Sequence, residues 1–460
     1  AGDPWSQAQA EEGRRVLERQ YARRGFHAPE IGVIAEPRDG VMDVTYRIVE
    51  GPQTRIGRIL IRGLLETREA VIRRQLPFAP GDPVNPEALV EGQRRLAELG
   101  IFERVDVEPL RPPPAPFVDV TVTVRERKPW RADVGLGYST YEGIRGSLEL
   151  GHDNLFGTVR SFTLRGRLSE RGDRADLIYV EPWVLDTRWR GDVNLFRERR
   201  DEIGFDFERY GLALGVGREL APEIPVRGLR AALRYELSQI DRFDIDATLV
   251  AEGDVRAGTE RIATITPELS LDRRDDPFDP HGGSFHLLSL RTGGIFLGGD
   301  ADFVKSRLET HWFFDWIPAT VVALSARLGL AAPLLDDDSL PIEERFFIGG
   351  ATTVRGYRER RLGPRDPRGN PIGGNAQAIF NVEWRFPIWR WFGGAVFFDT
   401  GMLVEEVDRL DPGRLRSGAG VGVRVSTPVG PLRLDVGYPL DDAPGHDRTP
   451  RVYVTVGYPF

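Results

Sequence analysis

The sequence contains no cysteine and only six histidines in 460 residues. The first absence removes disulfides, thiolate catalysis and Cys-based zinc sites, and it fits an oxidising compartment. The histidines form no cluster. His281 and His286 flank Ser284 in "HGGSFH", but this is not G-x-S-x-G, it has no strand–turn–helix context, and no third metal ligand is evident. There is no Walker or dinucleotide motif. No run of 18 apolar residues exists, so no transmembrane helix is expected. Cationic excess is missing too: 62 Lys+Arg face 70 Asp+Glu, a net charge of −8, which argues against nucleic-acid binding. The opening "AGDPWSQAQA" lacks a basic n-region and an apolar core, as a processed or trimmed chain would. The run "DDD" at 336–338 reads as an acidic loop.

What is present follows two different patterns. Up to about residue 128, helix and strand signals mix. "SQAQAEEGRRVLERQYARRGF" has helix formers with apolar residues three and four apart, and its basic face reads as solvated. "VMDVTYRIVEG" alternates like a strand. Then "TRIGRILIRG" reads as strand, "TREAVIRRQL" as helix and "NPEALVEGQRRLAELG" as a second helix. That helix is capped by Asn85, opened by Pro86 and ended by Gly100. "FERVDVEPL" and "FVDVTVTVRE" are strands, with "RPPPAP" (111–116) a stiff loop between them. The order over 54–128 is strand–helix–helix–strand–strand. Residues 1–53 give helix–strand–strand, a partial copy of that unit.

From about 129 the helical pattern disappears and short alternating runs recur between Gly, Pro, Asp and Asn. "AGVGVRVSTPV" sets Val421, Val423 and Val425 against Gly422, Arg424 and Ser426. "PLRLDVGYPL" sets Leu432, Leu434, Val436 and Tyr438 against Arg433, Asp435 and Gly437. A soluble sandwich would also alternate. However, many of these runs carry charge in the phase that a sandwich would bury, and a barrel in lipid reverses the rule, apolar out and polar in. At roughly 20 residues per strand with its turn, the segment holds about 16 strands. Trp183, Trp189, Trp312, Trp316, Trp384, Trp389 and Trp391 sit near strand ends, as an interfacial girdle requires. The expected fold is therefore α+β modules followed by an all-β transmembrane barrel of about 16 antiparallel strands.

Residues 344–366, "ERFFIGGATTVRGYRERRLGPRD", carry Val354-Arg355-Gly356-Tyr357. Here the sequence resembles the BamA/TamA-type outer-membrane insertase superfamily, also called the bacterial surface antigen family. Its hallmark is a Val/Ile-Arg-Gly-Phe/Tyr motif in the sixth extracellular loop. "FNVEWRFPI" (380–388) and "VFFDTG" (396–401) are similar to the two strands that follow it, and "GHDNLFGT" and "LDRRDDPFDPHGG" to further family segments. The family's periplasmic POTRA modules have the element order read over 54–128. The resemblance thus implies a partial POTRA module at 1–53, a complete one at 54–128, and a barrel at 129–460 with an inward-folded loop at 344–375. Family members usually carry complete modules, from two to five or more, whereas here one reads as complete and the first as truncated.

The resemblance also implies roles. The motif arginine, Arg355, is expected to fold into the lumen and pair with Glu383 and Asp399, while Arg358, Arg360 and Arg361 are read as solvated. Gly356 supplies backbone freedom beside it. A weak seam is expected between a first strand near 131–139, thinned by Gly135 and Gly137, and a last strand at 451–460. That last strand ends on Gly457, Pro459 and Phe460, the apolar terminus resembling an outer-membrane C-terminal signal. The implied function is an insertase of the bacterial outer membrane that folds and inserts β-barrel or autotransporter-type clients. It is not an enzyme and takes no cofactor. Its expected partners are the lipid bilayer, unfolded clients, and periplasmic or lipoprotein subunits on the POTRA modules. A two-partner-type secretion translocator and a passive channel are the alternatives, and a loop plugging the lumen counts against the open channel.

Overall fold

The computed structural model describes residues 6–456 apart from 39–40, 112–114, 222–223, 225, 252–254, 256, 336–338, 426–431 and 443–447. Gly457, Pro459, Phe460, the 336–338 acid run and part of the 111–116 loop therefore lie outside the described residues. By internal contacts the chain divides into two units. One comprises Ala1–Arg131 with Gly151–Ser161, the other Ala132–Leu150 with Phe162–Phe460.

The first unit opens with helix α1 (Gln7–Arg23), whose N-cap Ser6 accepts the Gln9 N–H through Oγ. Strands β1 (Glu30–Arg38) and β2 (Val41–Val49) pair antiparallel as a two-stranded sheet. The Tyr46 hydroxyl ties β2 to α1 by donating to the Ala10 carbonyl at 2.9 Å. Then come β3 (Arg55–Arg62), α2 (Glu69–Gln75), α3 (Pro86–Glu98), β4 (Phe102–Pro109) and β5 (Phe117–Glu126). The three strands form a sheet of order β3-β5-β4, with β3 parallel and β4 antiparallel to β5. Asn85 caps α3 through Oδ1 on the Glu87 N–H, Pro86 takes the first helical position, and Gly100 turns the chain out at φ +73°. The apolar stripe of α3 (Leu89, Leu96) packs with Ile56, Ile72, Val120 and Val122 into a buried apolar core.

The second unit is built on sixteen antiparallel strands, β6 (Trp130–Ser139) to β21 (Arg451–Val456), each hydrogen-bonded to its neighbour in sequence. The sheet curls into a nearly closed barrel. Its two end strands form no ladder with one another among the described residues, and the Val454 N–H reaches across to Thr140 Oγ1 at 3.1 Å. Side chains alternate as a lipid-embedded wall requires. Leu164, Leu177, Leu195, Val421 and Leu434 are exposed, whereas Asp176, Glu198, Glu383, Asp399 and Asp435 are buried. The tryptophans of the girdle lie toward one rim, the one where β6 starts and where Trp130, Trp316, Trp389 and Trp391 stand exposed.

Two features of this unit depart from the sequence reading. A five-residue helix, α4 (Ala247–Ala251), interrupts the all-strand half in the connection after the strand Leu229–Phe243. Its Leu249 is fully buried among Phe205, Phe207, Ile240, Ile262, Phe303, Leu340, Ile342 and Phe346. These residues come from strand ends and connections at the rim opposite the tryptophans. They build an apolar core that no single segment's periodicity could reveal, because each contributes only one or two side chains.

Candidate functional site

Five strands position the site: β16 (Val321–Pro333), β17 (Ala376–Trp389), β18 (Phe392–Val404), β19 (Arg416–Val425) and β20 (Leu432–Pro439). The long connection between β16 and β17 carries the Val-Arg-Gly-Tyr motif. Bridges Phe346↔Gly374 and Ile348↔Leu362 pinch its two limbs together. At its tip the Gly349 N–H donates to Thr353 Oγ1, and Gly349, Gly350 and Gly356 all take φ near +100°. Val354 and Tyr357 are fully buried with Ile348, Leu362 and Ile379.

The register of the strands sets what this loop meets. Antiparallel pairing places Asn381 opposite Asp399, Asp399 opposite Gly418, Gly422 opposite Asp435 and Gly420 opposite Gly437, all in the inward phase. The result is a floor with carboxylates at one side and bare glycines in the middle. Arg355, 1 % exposed, lies on that floor. Its Nε and Nη2 donate to the two oxygens of Asp399 at 2.7 and 2.9 Å, and its backbone N–H adds a third bond to Asp399 at 3.1 Å. Nη1 donates to Glu383 at 2.7 Å and approaches Asp435 at 3.5 Å. The guanidinium carbon sits 3.4 Å from the centroid of the Phe397 ring. A planar fork can meet all of these partners at once, whereas an ammonium cannot.

The acids are shared. Asn381 Nδ2 donates to Asp399 at 2.9 Å and to the Thr353 carbonyl at 2.7 Å. Arg424 pairs with Glu383 at 3.2 Å and also with Asp435, and Arg385 reaches the other oxygen of Glu383 at 3.1 Å. Three guanidiniums (Arg355, Arg385, Arg424) thus face three carboxylates (Glu383, Asp399, Asp435), with Arg327 donating to Asn381 at 2.9 Å and Arg433 buried on the same strand as Asp435. Burial works against the charge on Arg355, but the hydrogen bond and charge of Asp399, with Glu383 and Asp435, outweigh it and raise its affinity for the proton.

Arg360 is a correction to the solvated reading. It lies 4.0 Å over the Phe347 ring with its Nε 3.5 Å from Glu202, while Arg358 is exposed. Between them, Glu359 accepts the Ala351 N–H at 3.0 Å. Burial, with Glu142 adding to it, pushes the Glu359 carboxyl up to about 7 against the pull of the Ala351 N–H and Arg360. A carboxyl raised in the folded state contributes most below its ordinary value of 4.5, and the contribution is lost as pH rises through about 7. Tryptic cleavage at Arg358, normalised to another exposed loop, is therefore expected to rise through that range in the wild type. It is expected to stay flat in Glu359→Gln, which keeps the acceptor and removes the charge.

At the barrel's first edge, no side chain of β6 is buried. A Cβ on Gly135 would meet Ser147 Oγ at 2.5 Å, and one on Gly137 would meet Arg145 Nε at 2.8 Å, so both glycines admit neighbours from the next strand. On the last edge, Tyr453 is the buried side chain among the described residues, and its hydroxyl accepts the Gly356 N–H at 3.0 Å. The structure brings Arg355, Glu383 and Asp399 together and adds Asp435, Arg424, Asn381, Tyr453, Gly418 and Gly437. The alternation of "PLRLDVGYPL" had put Asp435 and Gly437 in the phase opposite the apolar face. Which members of that phase the loop would touch is a matter of register across four strands.

Comparison with known proteins agrees with this architecture. An Omp85 superfamily domain matches residues 154–460, and a POTRA unit, described as a surface antigen variable number repeat, matches 54–127. The outer membrane protein assembly factor BamA of Nitratidesulfovibrio vulgaris is 30% identical over 442 residues, 93% of this chain and 54% of the relative. The BamA of Neorickettsia risticii is 27% identical over 92% of this chain and 57% of the relative. The chain thus spans about half the length of these curated relatives. The crystal structure of BamA from Haemophilus ducreyi lacking POTRA domains 1–3 shares the fold, with a TM-score of 0.78 at 17% identity over 100% of this chain and 94% of that one. With two thirds of its length matched by the barrel domain and a POTRA unit ahead of it, the chain belongs to the Omp85 superfamily.

Proposed function

We propose that this protein folds and inserts β-barrel proteins into the bacterial outer membrane, where its barrel resides with the POTRA unit in the periplasm. The observation that carries the reading is the pair of barrel edges. β6 and β21 form no ladder with each other among the described residues, so, the Val454 N–H on Thr140 aside, their described outer backbone groups can template an incoming strand. Strand addition needs no cofactor and breaks no covalent bond, since each new ladder bond replaces one to water. The ionic cluster holds the motif loop inside the lumen, which suits a barrel that works at its seam better than one that conducts through its centre. The names of the relatives, outer membrane protein assembly factor, support the same reading. Unfolded barrel clients, together with periplasmic or lipoprotein subunits on the POTRA unit, would be its partners.

Depletion of the protein followed by outer-membrane proteomics tests this. Loss of many unrelated barrel proteins is the expected result. Loss of one secreted client alone would point to a secretion translocator, and an unchanged outer-membrane proteome would end the proposal.

A further inference from the structure

β21 is a short strand with few ties. Its ladder to β20 runs over six pairs, from Leu432↔Val456 to Gly437↔Arg451. On its other side the Val454 N–H meets Thr140 Oγ1. Its third tie comes from inside the lumen. Tyr453, 3 % exposed and paired in register with Asp435, accepts the Gly356 N–H at 3.0 Å and donates its hydroxyl proton to the Tyr357 carbonyl at 2.6 Å. The motif backbone reaches that hydroxyl because β19 and β20 present glycines beneath it. A Cβ at Gly437 would lie 2.6 Å from Gly356 N, and one at Gly418 would lie 1.9 Å from the Arg355 carbonyl oxygen. Tyr357 in turn donates its own hydroxyl to the Ser417 and Asp441 carbonyls, fastening the same stretch of loop to β19 and to the chain beyond β20.

We infer that Tyr453 is a positioning residue that braces the last barrel strand against the Val-Arg-Gly-Tyr loop, so that loop and strand open together. The physical basis is the buried hydroxyl. In moving away from the loop, β21 would take the Tyr453 hydroxyl from a buried backbone donor and a buried backbone acceptor at once. The cluster around Arg355 anchors the loop to β17 and β18, and Tyr453 passes that anchorage to the edge strand. By contrast, no side chain of β6 is buried, so the two edges are held unequally. The inference deepens the proposed function by naming what restrains one side of the seam.

Hydrogen exchange of the purified full chain in lipid nanodiscs tests the brace without any client. In Tyr453→Phe, amides of 354–357 and 451–456 should exchange about tenfold faster, while those of β17 and β18 stay unchanged. Acceleration spread over the whole barrel would mark a purely structural loss and overturn the inference, as would no change in either segment. Should Tyr453→Phe fail to fold, the wild type still decides. Under conditions where opening limits exchange, the Gly356 and β21 amides should exchange in one correlated step, and independent exchange would refute the coupling. A chain that shows the local effect but fails the depletion test keeps its brace and loses the assembly function.

Discussion

Arg355→Ala is expected to lower the stability of the barrel by about 3–5 kcal/mol, the usual cost of breaking a buried ion pair from one side. The reason lies in what is left behind. Glu383 retains Arg385 and Arg424, and Asp435 retains Arg424. Asp399 loses both guanidinium donors and keeps the Asn381 amide and the backbone N–H of residue 355 in a fully buried position. The buried cluster loses one positive charge beside Asp399. Urea unfolding in detergent, followed by the shift between folded and unfolded forms on gels, measures the loss. Asp399→Asn should recover part of it in the double variant, because it removes the stranded charge. Arg355→Lys should recover little, since an ammonium cannot span both Asp399 oxygens and Glu383. The deficit should persist in high salt, which screens buried pairs weakly. A loss of under about 1 kcal/mol for Arg355→Ala would mean that water or relaxation compensates Asp399, and that the lock contributes no more than a surface pair.

Gly418→Ala is expected to drive the motif loop out of its seat. Gly418 lies within β19 and takes no positive φ, so the strand itself would tolerate alanine or gain from it. What excludes the methyl group is the loop. The new Cβ would fall 1.9 Å from the Arg355 carbonyl oxygen, a backbone atom that cannot swing aside as a side-chain tip can. Either the loop lifts or the Arg355–Asp399 bonds stretch. Trypsin should then cut at Arg358, Arg360 and Arg361 about tenfold faster, the population change that ~1.4 kcal/mol of overpacking produces. Conductance across a planar bilayer should rise as the plug leaves. Gly166→Ala is the control, since a Cβ there meets nothing within 4 Å. Equal cleavage of the two variants would show that the loop does not rest on the glycine floor.

The sequence by itself determined the architecture. Period-two alternation with charge in the inward phase specifies strands whose apolar face meets lipid, and roughly 20 residues per strand sets their number near 16. The same local rules placed α3, because a cap, a proline and a terminating glycine act within one turn of the chain. These signals are legible because each depends on neighbours only a few residues away. Only the tertiary structure decided which inward residues meet. Arg355 and Asp399 are linked through a loop turning inward, Asp435 through two further hairpins, and Tyr453 through a third. Alternation gives a residue's face but not its height along the barrel wall. Height is fixed by the pairing register of consecutive strands and by glycines low enough for a loop backbone to lie across them. The apolar core around Leu249 stayed hidden for the same reason, as its members come from separate strand ends and connections. That one arginine turns inward was implied by the family resemblance of its motif and not by local pattern. The register of five strands decided that it is held by Asp399, shares Glu383 and Asp435 with Arg424, and lies beside the hydroxyl that secures the last strand.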